Sequence, residues 1–195
     1  MENKVEEPAL KYNYISEHEY LEQERAATEK HEYYEGEIYA MSGATANHNN
    51  IFTNLFPDIA NKLKGKGCRP YSSDLRIHIP KNTLYTYPDI SIICGEMKLT
   101  DDKFDTATNP SVIIELFSQS TRNDDRLEKF SLCRDIPTLQ EYILVDTRKI
   151  HIEAHVRNSD STWKLTDYRY LHDTLEIVTV NISISLNDIY EGLTF

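Results

Sequence analysis

The chain has 195 residues, of which 39% are hydrophobic and 27% charged, with a formal charge of −11. That length and composition suit a folded chain of ordinary globular type and exclude a collagenous or compositionally disordered one. The acidic balance excludes a broadly basic nucleic-acid coat, although it leaves room for a local basic cleft.

In chain order, the first ten residues are polar, carry Pro8 and are expected to be loose. No apolar run approaches the ~18 residues of a membrane span, and Met1 to Glu7 lacks the apolar core of a signal peptide. Ser16-Glu17-His18-Glu19 fits a capping box and predicts a helix through about Lys30. Tyrosines and alternation around Glu35-Gly36 predict a hairpin over residues 31–41. Ile51, Phe52, Leu55, Phe56, Ile59 and Leu63 recur at helical spacing over residues 47–64. Pro57 should kink or divide that helix, and Gly65 and Gly67 should end it.

Leu75, Ile77 and Ile79 alternate with Arg76 and His78, which predicts a half-exposed strand. Ile90 to Cys94 and Val112 to Phe117 are short apolar runs, as in buried strands, with a polar loop over 95–109 between them. Thr121 to Arg134 predicts a helix with Leu127 and Phe130 inward, stopped before Pro137. Tyr142 to Val145 is a further buried strand. An antiparallel meander follows: Ile150 to Val156, a turn at Asn158 to Ser161, then Trp163 and Leu165, and Leu175 to Val180. Leu186 to Tyr190 predicts one helical turn. Helices and strands interleave without strict alternation. The expected fold class is therefore mixed α/β (α+β), a mixed central sheet flanked by helices. One domain over 1–195 is expected, in three parts: an N-terminal helix and hairpin (1–45), a core (46–149) and C-terminal strands (150–195).

Cys68, Cys94 and Cys133 are odd in number and far apart, so they suggest neither a disulfide framework nor a zinc motif. Cys94 and Cys133 lie in apolar runs and are expected to be small core residues. This predicts a reduced, cytoplasmic protein.

Two acids sit where a core would exclude them. Asp89 follows Pro88 and opens a buried run, and Glu115 interrupts another. A buried carboxylate is costly unless it is paired, hydrogen-bonded or metal-bound. Two on adjacent strands would repel and raise one pKa, and a divalent cation removes both penalties. Mg²⁺ suits such oxygen ligands and accepts a substrate phosphate as a further one. The alternative is structural: Glu115 turned to solvent or an arginine, and Asp89 as a strand-entry residue. No Gly-rich phosphate loop or nucleophile elbow competes with them.

Pro88-Asp89, with Glu115 26 positions further on, resembles the PD-(D/E)XK nuclease superfamily. Other segments narrow the likeness: Tyr34-Glu35-Gly36-Glu37-Ile38-Tyr39-Ala40-Met41-Ser42, His48 opening a helix, Tyr87-Pro88-Asp89-Ile90, Ile114-Glu115-Leu116-Phe117-Ser118, Ser120-Thr121-Arg122-Asn123-Asp124, Asp125 to Phe130, and Gln140 to Asp146. In this order they resemble the bacterial Uma-type family of restriction endonucleases over roughly residues 14–191. The resemblance implies a restriction-endonuclease-like core and metal-dependent cleavage of DNA phosphodiester bonds. It implies Mg²⁺ or Mn²⁺ on Asp89 and Glu115, and an N-terminal acid at Glu37.

One position departs from the superfamily pattern, which has lysine two residues after the glutamate; here that residue is Phe117. Lys129 is the expected substitute. The strand runs ~10 Å beyond Glu115 and the helix returns ~10 Å to Lys129, so the two levels meet. Gln119 is a weaker, neutral substitute. Asp74 is a further candidate metal ligand, and His48 a candidate phosphate contact or proton carrier. A catalytically silent DNA-binding or protein-interaction module is the rival expectation, favoured by Phe117. A hydrolase of another phosphate ester is the third. Cutting both strands needs two sites, so a symmetric homodimer is expected.

The charge is unevenly spread. Residues 1–45 hold 11 acids and 4 bases, residues 150–195 hold 7 and 3, and residues 46–149 hold 14 of each. The acidic excess belongs to the flanks. Lys62, Lys64, Lys66 and Arg69, and Arg122, Arg126, Lys129 and Arg134, are expected phosphate contacts.

Overall fold

The computed structural model describes residues 14–41, 43–117 and 123–195, with the backbone alone over 123–127. Helix α1 spans Glu17–Ala26 and opens on the expected capping box. The Ser16 hydroxyl oxygen accepts from the Glu19 N–H at 3.2 Å, and the Ser16 N–H donates to Glu19 Oε2 at 2.8 Å. The helix stops short of Lys30 because its last turn is tied to the next strand. Glu24 accepts the His31 N–H at 2.9 Å. Strands β1 (His31–Tyr34) and β2 (Glu37–Ala40) then form the expected hairpin. Glu35 and Gly36 both have positive φ, as a type I′ turn requires. A Cβ on Gly36 would lie 2.2 Å from the Tyr14 ring, so a larger residue there would have to displace that side chain and adopt a strained backbone.

Helix α2 (Ala46–Lys62) is capped by Thr45 and is not divided at Pro57. Its buried residues fall every fourth position, Ile51, Leu55 and Ile59, with Leu63 continuing the row. Pro57 lies on the exposed side, where the carbonyl it leaves unpaired can take water. Strands β3 (Cys68–Ser72), β4 (Arg76–Ile79), β5 (Leu84–Thr86), β6 (Ile90–Cys94), β7 (Thr106–Ala107) and β8 (Val112–Phe117) follow. After them come α3 (Asn123–Cys133), β9 (Glu141–Asp146), β10 (Ile152–Arg157), β11 (Trp163–Tyr168), β12 (Thr174–Ile177), β13 (Ile182–Ser185) and α4 (Leu186–Ile189).

The larger sheet has the order β11-β10-β9-β8-β6-β3, and its one parallel pair, β8 with β9, makes it mixed. A parallel neighbour needs a crossover, which α3 supplies. A second sheet has the order β2-β1-β5-β4-β7, and β12 with β13 forms a separate hairpin. Alternation along β8 splits the interior. Val112, Ile114 and Leu116 pack with α2, β12, β13 and α4. Ile113 and Phe117 pack with Tyr142, Leu144, Cys133 and the strands of the second sheet. Tyr20, Tyr33 and Tyr85 join α1 to that second sheet, with ring centroids 5.0–5.9 Å apart.

Several expectations need correction. The strand around Ile77 is buried along its whole length, because Arg76 and His78 find partners inside. Arg76 donates to Thr106 Oγ1 at 2.9 Å and to the Tyr87 hydroxyl at 2.8 Å, and lies 3.1 Å from Asp105. Strands β3, β5, β7 and β13 go beyond the sequence expectation, and β7 lies inside the expected loop over 95–109. The first carries Pro70, which is tolerated because β3 is an edge strand. The strand expected to reach Val180 ends at Ile177 in a single 3-10 turn, after which Asn181 adopts positive φ. The cysteines also depart from the sequence expectation. Cys68 and Cys94 are opposite residues of β3 and β6 and form a disulfide, whereas Cys133 is free and buried as expected. The inward placement of Leu127 lies outside the described side chains. No helix among the described residues is long and apolar enough to cross a membrane.

Candidate active site

Antiparallel pairing of β6 and β8 sets Ile90 opposite Ile114. Asp89, one residue before β6, therefore reaches the level of Glu115, one residue beyond Ile114. Asp89 Oδ2 accepts the Leu116 N–H at 2.7 Å, beside Glu115. Its Oδ1 lies 2.9 Å from Nε2 of His48, on the first turn of α2. Two strands and one helix thus fix this carboxylate. The Asp89 hydrogen bond is the main reason the His48 imidazole is held above its ordinary pKa, with burial opposing and Glu115 assisting. His48 Nδ1 is buried and has no hydrogen-bond partner.

Glu115 lies on the face of β8 that meets α3 and the second sheet. Lys129, from α3, places its ammonium 3.0 Å from Glu115 Oε1 and 2.9 Å from Glu32 Oε1. Thr86, on β5, also donates to Glu32. Phe130, next to Lys129, packs on Tyr142 and Trp163, with centroids 4.9 and 5.2 Å away, and fixes the rotation of the helix. The local electrostatics follow. Burial first, then Asp89 and Glu32, push the Glu115 carboxyl up to about 7, with Lys129 pulling the other way. Burial also disfavours the Lys129 ammonium, but Glu115 and Glu32 overcome it and hold the amine well above its usual range. For Glu32, burial works upward and Lys129 with Thr86 prevails, so its carboxyl is held low.

The residues singled out from sequence divide into two sets. Asp89, Glu115, Lys129 and His48 are brought together at one end of the larger sheet. Asp74 is not; its side chain is 85% exposed and pairs with Lys30 at 2.6 Å. Glu37 lies on exposed β2 and accepts from the Tyr39 hydroxyl at 2.7 Å. The second acid that meets Lys129 is Glu32, which sequence reasoning missed. Its signal was available, since an acid next to the buried Tyr33 in a four-residue strand faces the opposite side of the sheet. Gln119 and the Ser120-Thr121-Arg122 segment lie outside the described residues, as do the side chains of Arg126 and Leu127.

Three carboxylates thus face one ammonium and one imidazole. Glu115 Oε1 is buried and meets Lys129 as an ion pair without a hydrogen bond. This surplus of oxygen donors and negative charge fits a hard divalent cation. A second cluster, His151, Glu153 and Asp167, lies across β10 and β11, with its ligand atoms within 4.8 Å of one another. There His151 Nε2 already pairs with Asp167 at 2.8 Å.

A crystal structure described as a putative nuclease belonging to DUF820, from Anabaena variabilis ATCC 29413, superposes with a TM-score of 0.71. It covers 90% of this chain and 97% of that one at 17% identity, a likeness of fold. Two relatives from Synechocystis sp. (strain PCC 6803) are described as uncharacterized. Protein slr1290 is 36% identical over 188 residues, covering 96% of this chain and 97% of its own. Protein sll1609 is 39% identical over 149 residues, covering 76% and 84%. Residues 17–187 match the family model described as Uma2, putative restriction endonuclease, and with that extent of match the chain belongs to the Uma2 family.

Proposed function

We propose that the chain is a divalent-metal-dependent endonuclease that hydrolyses DNA phosphodiester bonds. The observation that carries this reading is the placement of Lys129. An ammonium from a separate helix meets Glu115 beside Asp89, replacing the lysine that Phe117 displaces from the strand. That placement also favours an active enzyme over a catalytically silent DNA-binding module.

Asp89 and Glu115 would hold Mg²⁺ or Mn²⁺, which when bound activates water and stabilises charge on the phosphate. In the hydrolysis, a water oxygen bonds to phosphorus, the bond from phosphorus to the leaving sugar oxygen breaks, and that oxygen gains a proton. Lys129 positions the water or stabilises the developing negative charge. Glu32 holds the ammonium in place through its own ion pair. His48 orients Asp89, and its imidazole is available to carry a proton. Cutting both strands requires two such sites, so the reading includes a symmetric homodimer, which light scattering tests.

The test is incubation of supercoiled plasmid with Mg²⁺ or Mn²⁺, comparing wild type with Asp89→Ala, Glu115→Ala and Lys129→Ala. Nicking that depends on metal and is lost in the first two variants is expected. Wild type that nicks no faster than those variants sinks the proposal.

A further inference from the structure

The sheet end that carries Asp89 and Glu115 carries a second set of groups. Phe117 is opposite Asp146 where β8 and β9 end, and Ile152 is opposite Tyr168 where β10 begins and β11 ends. The turn 147–150 and the loop 169–173 therefore leave the same end of the sheet. The Thr147 N–H donates to the Phe117 carbonyl at 2.9 Å. Asn47 Nδ2 donates to the Thr147 carbonyl at 3.2 Å, which sets the turn beside His48.

This rim presents Arg148, Lys149 and Arg169, all exposed. Beyond them Tyr170, 62% exposed, stacks on the His172 ring at 5.3 Å and 8°. The acids of the rim are already engaged. Asp146 is buried and accepts the Arg148 N–H at 2.9 Å, with Arg148 Nε 3.8 Å away. Asp167 meets His151 at 2.8 Å and Arg169 at 3.4 Å. Asp173 accepts the N–H groups of Arg169 and Tyr170 at 2.9 and 3.0 Å.

The span suits a nucleic-acid backbone. Three strand spacings from β8 to β11 cover ~14 Å, about four nucleotide steps. The cluster of Lys62, Lys64, Lys66 and Arg69 cannot serve the same strand segment, because α2 carries the chain ~24 Å from His48 to Lys64.

We infer that the rim formed by turn 147–150 and loop 169–173 is the DNA track of this chain. Arg148, Lys149 and Arg169 hold phosphates flanking the scissile one, and the Tyr170–His172 stack receives an unstacked base. The inference rests on the nuclease reading and adds to it a preference for DNA with an unpaired nucleotide. Aromatic faces bind bases of any sequence in this way.

The test is fluorescence anisotropy in EDTA over a salt series, with a labelled duplex and the same duplex carrying a short single-stranded gap. The Arg148→Gln/Lys149→Gln/Arg169→Gln variant should lower the slope of log affinity against log salt by about 2.7. Lys62→Gln/Lys64→Gln/Lys66→Gln should leave that slope unchanged. Tyr170→Ala should weaken the gapped duplex about 5- to 150-fold and spare the paired one, while Tyr170→Phe keeps both. No binding, a slope unmoved by the rim variant, a slope lost in the lysine variant, or a Tyr170→Ala variant that binds the gapped duplex like wild type overturns the inference. Binding as expected, with no metal-dependent cleavage, would refute the nuclease reading and leave the track standing.

Discussion

Replacing Lys129 by methionine removes the one ammonium shared by Glu115 and Glu32 while keeping the side-chain volume. Removing one member of a buried pair costs about 3–5 kcal/mol, because the remaining charge is left unmatched. The side chains here are 13–26% exposed, so about 2–3 kcal/mol is the expected loss at pH 8.5. The cost depends on pH in a definite direction. Glu115 is held near 7 against an ordinary value of 4.5, so the folded chain binds the extra proton between those values. Its contribution is fully present below about pH 4.5 and is lost as pH rises through about 7, about 3 kcal/mol in all. Without Lys129 the folded value rises further, and the window extends upward. The Lys129→Met penalty should therefore shrink to about 1 kcal/mol at pH 5.5, where Glu115 is protonated and Glu32 alone lacks its partner. Urea denaturation of both proteins at the two pH values measures this. A variant as stable as wild type at pH 8.5, or a penalty equal at both pH values, would refute the account of Lys129 as the counter-charge of two carboxylates.

Glu115→Gln removes the proton-linked cost and should melt above wild type at pH 8.5 while losing metal-dependent cleavage; calorimetry and plasmid nicking read the two effects. Removing metal with EDTA should abolish nicking, and restoring excess Mg²⁺ should recover it. Asp105 is held far below the usual carboxylate range, first by Arg25, so its stabilisation is present above the unfolded pKa and lost as pH falls through the folded one. Asp105→Asn should flatten the fall of melting temperature between pH 4 and 2. Thiol titration of the denatured chain should find one reactive cysteine before reduction and three after it. Reduction should cost about 3 kcal/mol for a closed loop of this length. Three thiols without reductant would show that the Cys68–Cys94 disulfide does not form.

What was legible in the sequence was whatever a local rule carries. The Ser16 capping box, the Glu35-Gly36 turn, the apolar rows of α2 and β8, and the misfit of Asp89 and Glu115 all depend on neighbours a few residues away. The order of motifs along the chain supplied the family, because each motif needs only its own segment. Lys129 was reachable by adding strand and helix lengths. Other features were settled by residues that meet only after folding. Arg76 and His78 read as solvent-facing because their partners, Tyr87, Asp105 and Thr106 for Arg76 and Glu17 for His78, come from other segments of the chain. Cys68 finds Cys94 through the register of two strands. Glu32, rather than Glu37, meets Lys129 because side chains alternate along β1: Tyr33 packs on Tyr20 and Tyr85, and Glu32 turns to the other face, toward Thr86 and Lys129. Charge behaved likewise. The value of −11 says little about DNA, since the lysine cluster conspicuous in the sequence lies at the far end of α2 from the acids. Only the crossing of the strands brings Arg148, Lys149 and Arg169 to the end of the sheet where Asp89 and Glu115 stand. Periodicity reports which face of an element is buried, and the packing of elements against one another determines what that face meets.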